Sequence, residues 1–244
     1  MKVLVVIPAF NEEQALAPLL AEARDAVAKL SDDAELLVVD DGSLDGTARV
    51  AREAGVRLLR LCRNLGIGGA VQSGLRVAAR EGFDCAVQMD GDGQHPPDQL
   101  AGLLEPMREA NPPDLVIGSR FLGTVTYRST FVRRLGIVWL RLVLRLIAGS
   151  RVTDPTSGFR VYGRRALALF DETYPYDFPE PESIAIACAA RLEARERPVA
   201  MRERQGGVSS IGPLSAVYYM IKVTIAVMLA YVRNRRRERS VDPE

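Results

Sequence analysis

Residues 85–98 read CAVQMDGDGQHPPD. An apolar run of buried-strand character ends in Asp90 and Asp92, two carboxylates separated by a single glycine. Neighbouring carboxylates disfavour each other's ionised form, so the pair asks for a positive partner. The run is also one of a series. Candidate strands at 3–7, 35–39, 56–61, 85–89 and 115–117 alternate with helix-period stretches at 13–29, 47–53, 67–81 and 97–109. These strands are nearly continuous in Val, Leu and Ile, as strands covered on both faces are. The alternation predicts an α/β fold, Rossmann-like, with a mostly parallel central sheet flanked by helices.

A sheet of this kind binds ligands beyond the carboxyl ends of its strands. Asp40 and Asp41 follow the second expected strand, and Asp90 and Asp92 follow the fourth. All four are therefore expected on one rim. In VVDDGSLDGT (38–47) a turn and helix start account for Asp45 and Thr47. They do not account for the adjacent Asp40 and Asp41, whose carboxylates suit a ribose hydroxyl or a base N–H. The glycine-rich NLGIGGAVQSG (64–74) lacks the spacing of a phosphate loop, and Gly68 and Gly69 are expected to serve close helix–sheet packing.

Hard divalent cations take oxygen ligands, and magnesium sites combine one or two carboxylates with substrate phosphates. Asp90 and Asp92, with Gln94 adding a neutral oxygen, offer such a set for Mg2+ or Mn2+. The same string also reads as a solvated Asp/Gly turn, and the motif alone does not separate the two. His95, the single histidine, precedes Pro96 and Pro97 in a helix-entry loop and is given no role.

The 244 residues allow one sizeable α/β domain. A net charge of +1 argues against a nucleic-acid partner bound through bulk charge. Cys62, Cys85 and Cys188 are scattered without metal or disulfide spacing, as small core residues in a reducing compartment are. The apolar start MKVLVVIPAF reads as a first strand, not a signal peptide.

The near-neutral total hides an asymmetry. Residues 131–165 carry Arg133, Arg134, Arg141, Arg145, Arg151, Arg160, Arg164 and Arg165 against the single acid Asp154. In an expected helix at about 131–149, Arg134, Arg141 and Arg145 share one face, at about 100° per residue. Leu, Val, Ile and Trp139 fill the rest. Such a helix suits a membrane interface; a core helix with one solvated stripe is the alternative. Further on, LSAVYYMIKVTIAVMLAYV (214–232) is apolar for nearly the ~20 residues that span a bilayer, though Lys222 interrupts it. Arg233, Arg235, Arg236, Arg237 and Arg239 follow, a cluster suited to an anionic cytosolic leaflet. A helix lying in the interface is favoured. A span, packing on a small integral membrane partner, and a buried core helix stay open. The expected organisation is a domain over 1–210 and a C-terminal apolar helix with a basic tail over 211–244, at the cytosolic face of the cell membrane.

Seven segments jointly resemble the family 2 glycosyltransferases of the GT-A fold. They are VVIPAFNEE (5–13), VVDDGSLDGT, NLGIGGAVQSGL (64–75), QMDGDGQHPPD (88–98), LVIGSRF (115–121), DPTSGFR (154–160) and RQGGVSS (204–210). The nearer likeness is to dolichol-phosphate mannose synthases and bacterial polyprenyl-phosphate glycosyltransferases. The resemblance implies that Pro8, Phe10, Glu12, Asp40 and Asp41 line the nucleotide pocket. It implies that Asp90, Asp92 and Gln94 face a metal and the diphosphate. Arg120, Arg134 and Arg204 look like the phosphate-binding arginines, whose guanidinium forks fit phosphate oxygens. Asp154, Ser157 and Arg160 would shape the sugar and acceptor side. Asp92, Asp154, Arg120 and Arg204 form the implied catalytic set.

Synthases of the mannose type usually carry Lys where this chain has Ser210, so that departure and the PEPE run (179–182) leave the sugar and acceptor open. The implied reaction is metal-dependent, inverting transfer of a hexosyl group from a UDP- or GDP-sugar to a polyprenyl phosphate. A sugar-hydroxyl acceptor, with Asp154 or Glu182 as base, is the alternative. A non-catalytic membrane-bound scaffold of the same fold is the rival from another class.

Overall fold

The computed structural model describes residues 1–123, 131–202 and 213–241. The amino-terminal half winds as β1 (Lys2–Ala9), α1 (Glu13–Ala28), β2 (Asp33–Asp40), α2 (Thr47–Glu53), β3 (Arg57–Arg60), α3 (Gly66–Arg80) and β4 (Cys85–Gln88). A short helix α4 (Leu100–Leu104) precedes β5 (Leu115–Ser119). The remainder comprises α5 (Phe131–Ala148), β6 (Arg160–Gly163), α6 (Arg164–Glu172), α7 (Pro179–Ala189), β7 (Ala194–Pro198) and α8 (Pro213–Val241). The strands form one seven-stranded sheet in the order β3-β2-β1-β4-β6-β5-β7, all parallel to their neighbours except β6.

β1 shows how the sequence produces the layers. Strand side chains alternate between faces. Leu4 and Val6 enter the core beneath α3, whereas Val3, Val5 and Ile7 enter the core beneath α1. Both faces are apolar because both are covered, which is the condition for a buried parallel strand. Gly74 lets α3 approach that strand: a Cβ there would lie 2.2 Å from Val6 Cγ1. Gly68 instead faces Pro175, whose carbonyl oxygen would lie 2.3 Å from such a Cβ. Close helix–sheet packing thus falls to Gly74 and not to Gly68.

The continuous helix expected at 97–109 is a 3-10 turn (Pro97–Gln99), α4 and a second 3-10 turn (Glu105–Arg108). Pro106 supplies no N–H to the helix ladder and disfavours helical backbone at the residue before it, and α4 ends at Leu104. α8 packs on the domain. Val223 and Val227 are fully buried in the same core as Leu140, Leu144 and Ile184. Lys222 stays exposed, 4.7 Å from the Tyr218 ring centroid. Among the described residues, no helix is long and apolar enough to cross a membrane.

Candidate active site

The rim is assembled at the end of β1. Asp41 N donates to Ala9 O at 2.9 Å and Gly91 N donates to Pro8 O at 3.2 Å. The loops after β2 and β4 are thereby fixed on either side of one strand end. Across two strand spacings their acidic residues stand on the order of 10 Å apart. Gly91 is required there, because a Cβ would come within 2.9 Å of Pro8 O.

The Asp40 side of the rim is knitted from two loops. Asn11, in the left-handed region at φ 55°, donates its N–H to Ser43 Oγ at 3.0 Å and accepts from Leu44 N at 3.0 Å. Glu12 N donates to Thr47 Oγ1 at 2.9 Å. Pro8 is buried and Phe10 is exposed beside them. Asp40 is fully buried and accepts from Ser43 N at 3.0 Å through Oδ1. Its other oxygen is an orphan. Arg60 Nε lies 3.1 Å from Oδ2, but its N–H is not directed at it and Oδ2 accepts no hydrogen bond. Asp41 accepts from Leu65 N at 2.7 Å. Burial pushes its carboxyl pKa up, against the pull of the Leu65 and Gly66 N–H groups.

Asp90 is set by neutral groups. Gln88 Nε2 donates to its Oδ1 at 3.3 Å, and Tyr162 OH donates to Gln88 Oε1 at 3.0 Å. Behind them the buried Tyr162 and Tyr174 hydroxyls pair at 3.1 Å. The Asp90 backbone N–H donates to His95 Nδ1 at 2.9 Å. His95 is buried and stacked on Phe159 at 4.9 Å, so it works as a strut for the acidic loop. Gly158 faces Asp90 closely; a Cβ would lie 3.0 Å from Oδ2. Asp92 accepts from Gln94 N at 3.0 Å and from the Gln94 side-chain amide. Gln94 therefore presents its NH2 group, not its oxygen, to Asp92.

Among the described residues, no group of three or more His, Cys, Asp or Glu is arranged to hold a metal alone. Asp90 and Asp92 supply two hard carboxylates, the number a magnesium-type ion takes when substrate phosphates complete its shell. The residues fit that ion.

The opposite wall is organised differently. Asp154 is fully buried and takes three donors from Arg120: N at 3.0 Å, Nε at 2.7 Å and Nη2 at 2.6 Å. Arg120 Nη2 also donates to Thr156 Oγ1 at 2.6 Å. Two residues implied as separate catalytic groups are thus one ion pair. Arg160, also fully buried, donates to Ser157 O at 2.7 Å and to Ser183 Oγ at 2.6 Å, stapling its own loop to α7. The Ser157 hydroxyl accepts from Phe159 N at 3.3 Å. Arg134 is exposed on α5. Arg141 turns away from the face it was expected to share with Arg134 and Arg145: its Nε donates to Thr153 O and its guanidinium lies 4.5 Å from the Phe121 ring centroid. Arg204 lies outside the described residues.

Glu180, at the first turn of α7, was not singled out by sequence. Burial pushes its carboxyl pKa up, Arg160 and Arg120 oppose this, and Asp90 adds to it. Ser183 Oγ, which accepts from Arg160, donates to Glu180 O at 3.1 Å and ties Glu180 to the Arg160 loop. Glu182, the acid that sequence offers as a base, instead accepts from Phe178 N at 3.0 Å and caps α7. The PEPE run held the signal, but only the helix phase distinguishes the two glutamates.

With this geometry in hand, the comparisons are specific. The chain matches the family model for Glycosyl transferase family 2 over residues 4–170 and belongs to that family. It is a glycosyltransferase with an α/β fold of the GT-A type. It is 37% identical to an undecaprenyl-phosphate mannosyltransferase of Micrococcus luteus, over 86% of this chain and 88% of that protein. It is 30% identical to a polyprenol monophosphomannose synthase of Mycolicibacterium smegmatis, over 91% of this chain and 85% of that protein. Among solved structures, it resembles glucosyl-3-phosphoglycerate synthase of Mycobacterium tuberculosis in complex with Mn2+ and UDP-glucose. The TM-score is 0.68 at 25% identity, covering 94% of this chain and 78% of that one.

Proposed function

We propose that this enzyme transfers a hexosyl group from a nucleotide-diphosphate sugar to a polyprenyl phosphate, with inversion, at the cytosolic face of a membrane. The acceptor class is supported by the two relatives named above. The single observation that carries it is the apolar surface tied to the site. α5 exposes Leu135, Val138 and Leu146, the last 74% accessible, and α8 beside it exposes Ile221, Ile225 and Leu229. Trp139 Nε1 donates to Thr224 Oγ1 at 3.0 Å and joins the two helices. Arg233, Arg235 and Arg236 follow on α8. An apolar face with a basic end fits an interface of anionic lipids. From that face Arg141 reaches Thr153, next to Asp154. A lipid tail can stay in the bilayer while its phosphate enters the cleft.

Asp40 would receive the nucleoside. An unsatisfied buried acceptor is destabilising by about 1–3 kcal/mol, which a base N–H or ribose hydroxyl offsets. Asp90 and Asp92 would hold Mg2+ or Mn2+, which supplies charge neutralisation of the departing diphosphate. Metal use is supported by the Mn2+ complex of the solved relative. Arg120, fixed by Asp154, would turn its positive charge toward the departing diphosphate from the opposite wall. A phosphate monoester has a second pKa of about 6, so the acceptor is already anionic at neutral pH and needs no strong base.

A hydroxyl acceptor is the second reading, and Glu180 favours it: a half-buried carboxyl with a raised pKa is suited to general-base work. The deciding experiment incubates purified enzyme with UDP- and GDP-sugars, short polyprenyl phosphate and Mn2+ or Mg2+ on anionic vesicles. A product mass of lipid phosphate plus one hexose is expected. Sugar recovered only on a hydroxylated lipid-linked glycan would overturn the phosphate acceptor.

A further inference from the structure

Glu196 lies on β7, the edge strand, beyond the stretch matched by the family model. Its carboxylate points back across the sheet to the loop before β6. Oε2 accepts from Thr153 N at 2.8 Å, and Oε1 accepts from Asp154 N at 2.8 Å and from Thr153 Oγ1 at 3.0 Å. The Thr153 hydroxyl also meets Ser119 Oγ at 3.0 Å, and Arg141 holds the Thr153 carbonyl. The polar atoms of Thr153 are thus bonded to three other elements, and two consecutive backbone N–H groups converge on one carboxylate. Asp154, the next residue, takes Arg120 by its backbone and by two guanidinium nitrogens.

We propose that Glu196 is a positioning residue for sugar transfer: by gripping the Thr153–Asp154 backbone it fixes Asp154, and through it the Arg120 guanidinium, against the diphosphate side of the cleft. Arg120 Nη2 donates to Thr156 Oγ1 at 2.6 Å, and two residues further along the same loop Gly158 faces Asp90, where a Cβ would lie 3.0 Å from Oδ2, so one loop joins the Arg120 pair to the Asp90 carboxylate. Charge-assisted bonds to a carboxylate are the stronger kind and hold a loop tightly. Preorganised positive charge loses effect when displaced by a fraction of an ångström. Ordinary edge-strand acids do not make this arrangement. Glu193, beside β7, is exposed and its carboxylate pairs with Arg195 Nε at 2.6 Å. The inference rests on the proposed transfer for its kinetic readout, so its test includes a binding readout as well.

The test is Glu196→Gln beside Glu193→Gln. The amide presents one oxygen and one NH2 where three donors need acceptors, so the NH2 opposes the Thr153 N–H. For Glu196→Gln, kcat per folded molecule is expected to fall about tenfold or more while the donor KM changes less than about threefold. Affinity for the nucleoside diphosphate that the wild type binds, UDP or GDP with Mn2+, should weaken about tenfold by calorimetry, since the product carries the charge that develops during transfer. Glu193→Gln should leave both unchanged. A purely structural role would lower the melting temperature of Glu196→Gln and leave kcat per folded molecule and diphosphate affinity within about twofold of wild type; that result overturns the proposal. A wild type that binds the diphosphate yet moves no sugar to polyprenyl phosphate overturns the acceptor assignment instead, and the calorimetric comparison still decides the role of Glu196.

Discussion

Asp90 and Asp154 are carboxylates on neighbouring loops of one sheet, and they are held in opposite ways. The Asp90 carboxylate accepts from the Gln88 side-chain amide and faces Gly158, while its backbone N–H donates to His95 Nδ1. Asp154 is enclosed by the Arg120 guanidinium and has no accessible surface. A carboxylate held by an amide is left without a cationic partner and can serve a bound cation. One paired with a guanidinium has given it up to the fold, and its removal strands a buried cation. The Asp90 wall therefore offers carboxylates without a cationic partner, whereas the Asp154 wall uses its carboxylate to fix one guanidinium, with an apolar face outside it.

The sharpest way to break this contrast is to neutralise each acid in turn. Asp154→Asn leaves Arg120 buried and uncompensated, so a loss of about 3–5 kcal/mol is expected. At about 2–4 °C per kcal/mol for a chain of this size, the melting temperature should fall by roughly 6–20 °C. A melting temperature within about 2 °C of wild type would mean that the pair is solvated and the walls do not differ. Asp90→Asn should do the reverse. Turnover is expected to fall about 10²–10³-fold, as when a group that stabilises developing charge is removed. The melting temperature should hold or rise, because a like charge beside Asp92 is gone. An Asp90→Asn protein that is both active and less stable would place Asp90 in the framework with Asp154.

The two walls also differed in how far they could be read beforehand. The Asp90 wall is built from consecutive apolar strands that end in acids, so period and strand order carry Asp40, Asp41, Asp90 and Asp92 to one rim. The Asp154 wall is built from β6 and β7, neither of which the sequence pattern marks as a strand. β6 is four residues, RVYG, inserted antiparallel between β4 and β5. β7, ARERP, is an edge strand rich in charge, as edges that avoid further pairing are. Neither has the apolar run or the alternation that marks a strand. Side-chain pairing was equally hidden. No spacing links Arg120 to Asp154, thirty-four residues apart, or Asp154 to Glu196, forty-two apart. Helix phase alone groups Arg141 with Arg134 and Arg145 on one face. The Arg141 Nη2, buried without a partner, shows that phase fixes direction only to within a side chain's reach.

Glu180 is tied to the Arg160 loop, and the smallest expected effect sharpens the comparison most. Burial holds its carboxyl pKa above the ordinary 4.5 although Arg160 and Arg120 pull it down. A carboxyl that binds its proton more tightly when folded supports the fold fully below its unfolded pKa. That support is lost as pH rises through the folded value. At neutral pH an ionised Glu180 is therefore a strain on the fold. Glu180→Gln should melt above wild type at pH 7, with the gap closing as pH is lowered toward 4.5. The measurement is a pair of melting curves across that pH window. A gap of the opposite sign at pH 7 would mean that Arg160 and Arg120 outweigh burial, and Glu180 would then belong to the Asp154 wall. A gap of the expected sign leaves an acid kept at a cost in stability, and that is characteristic of a group retained for chemistry.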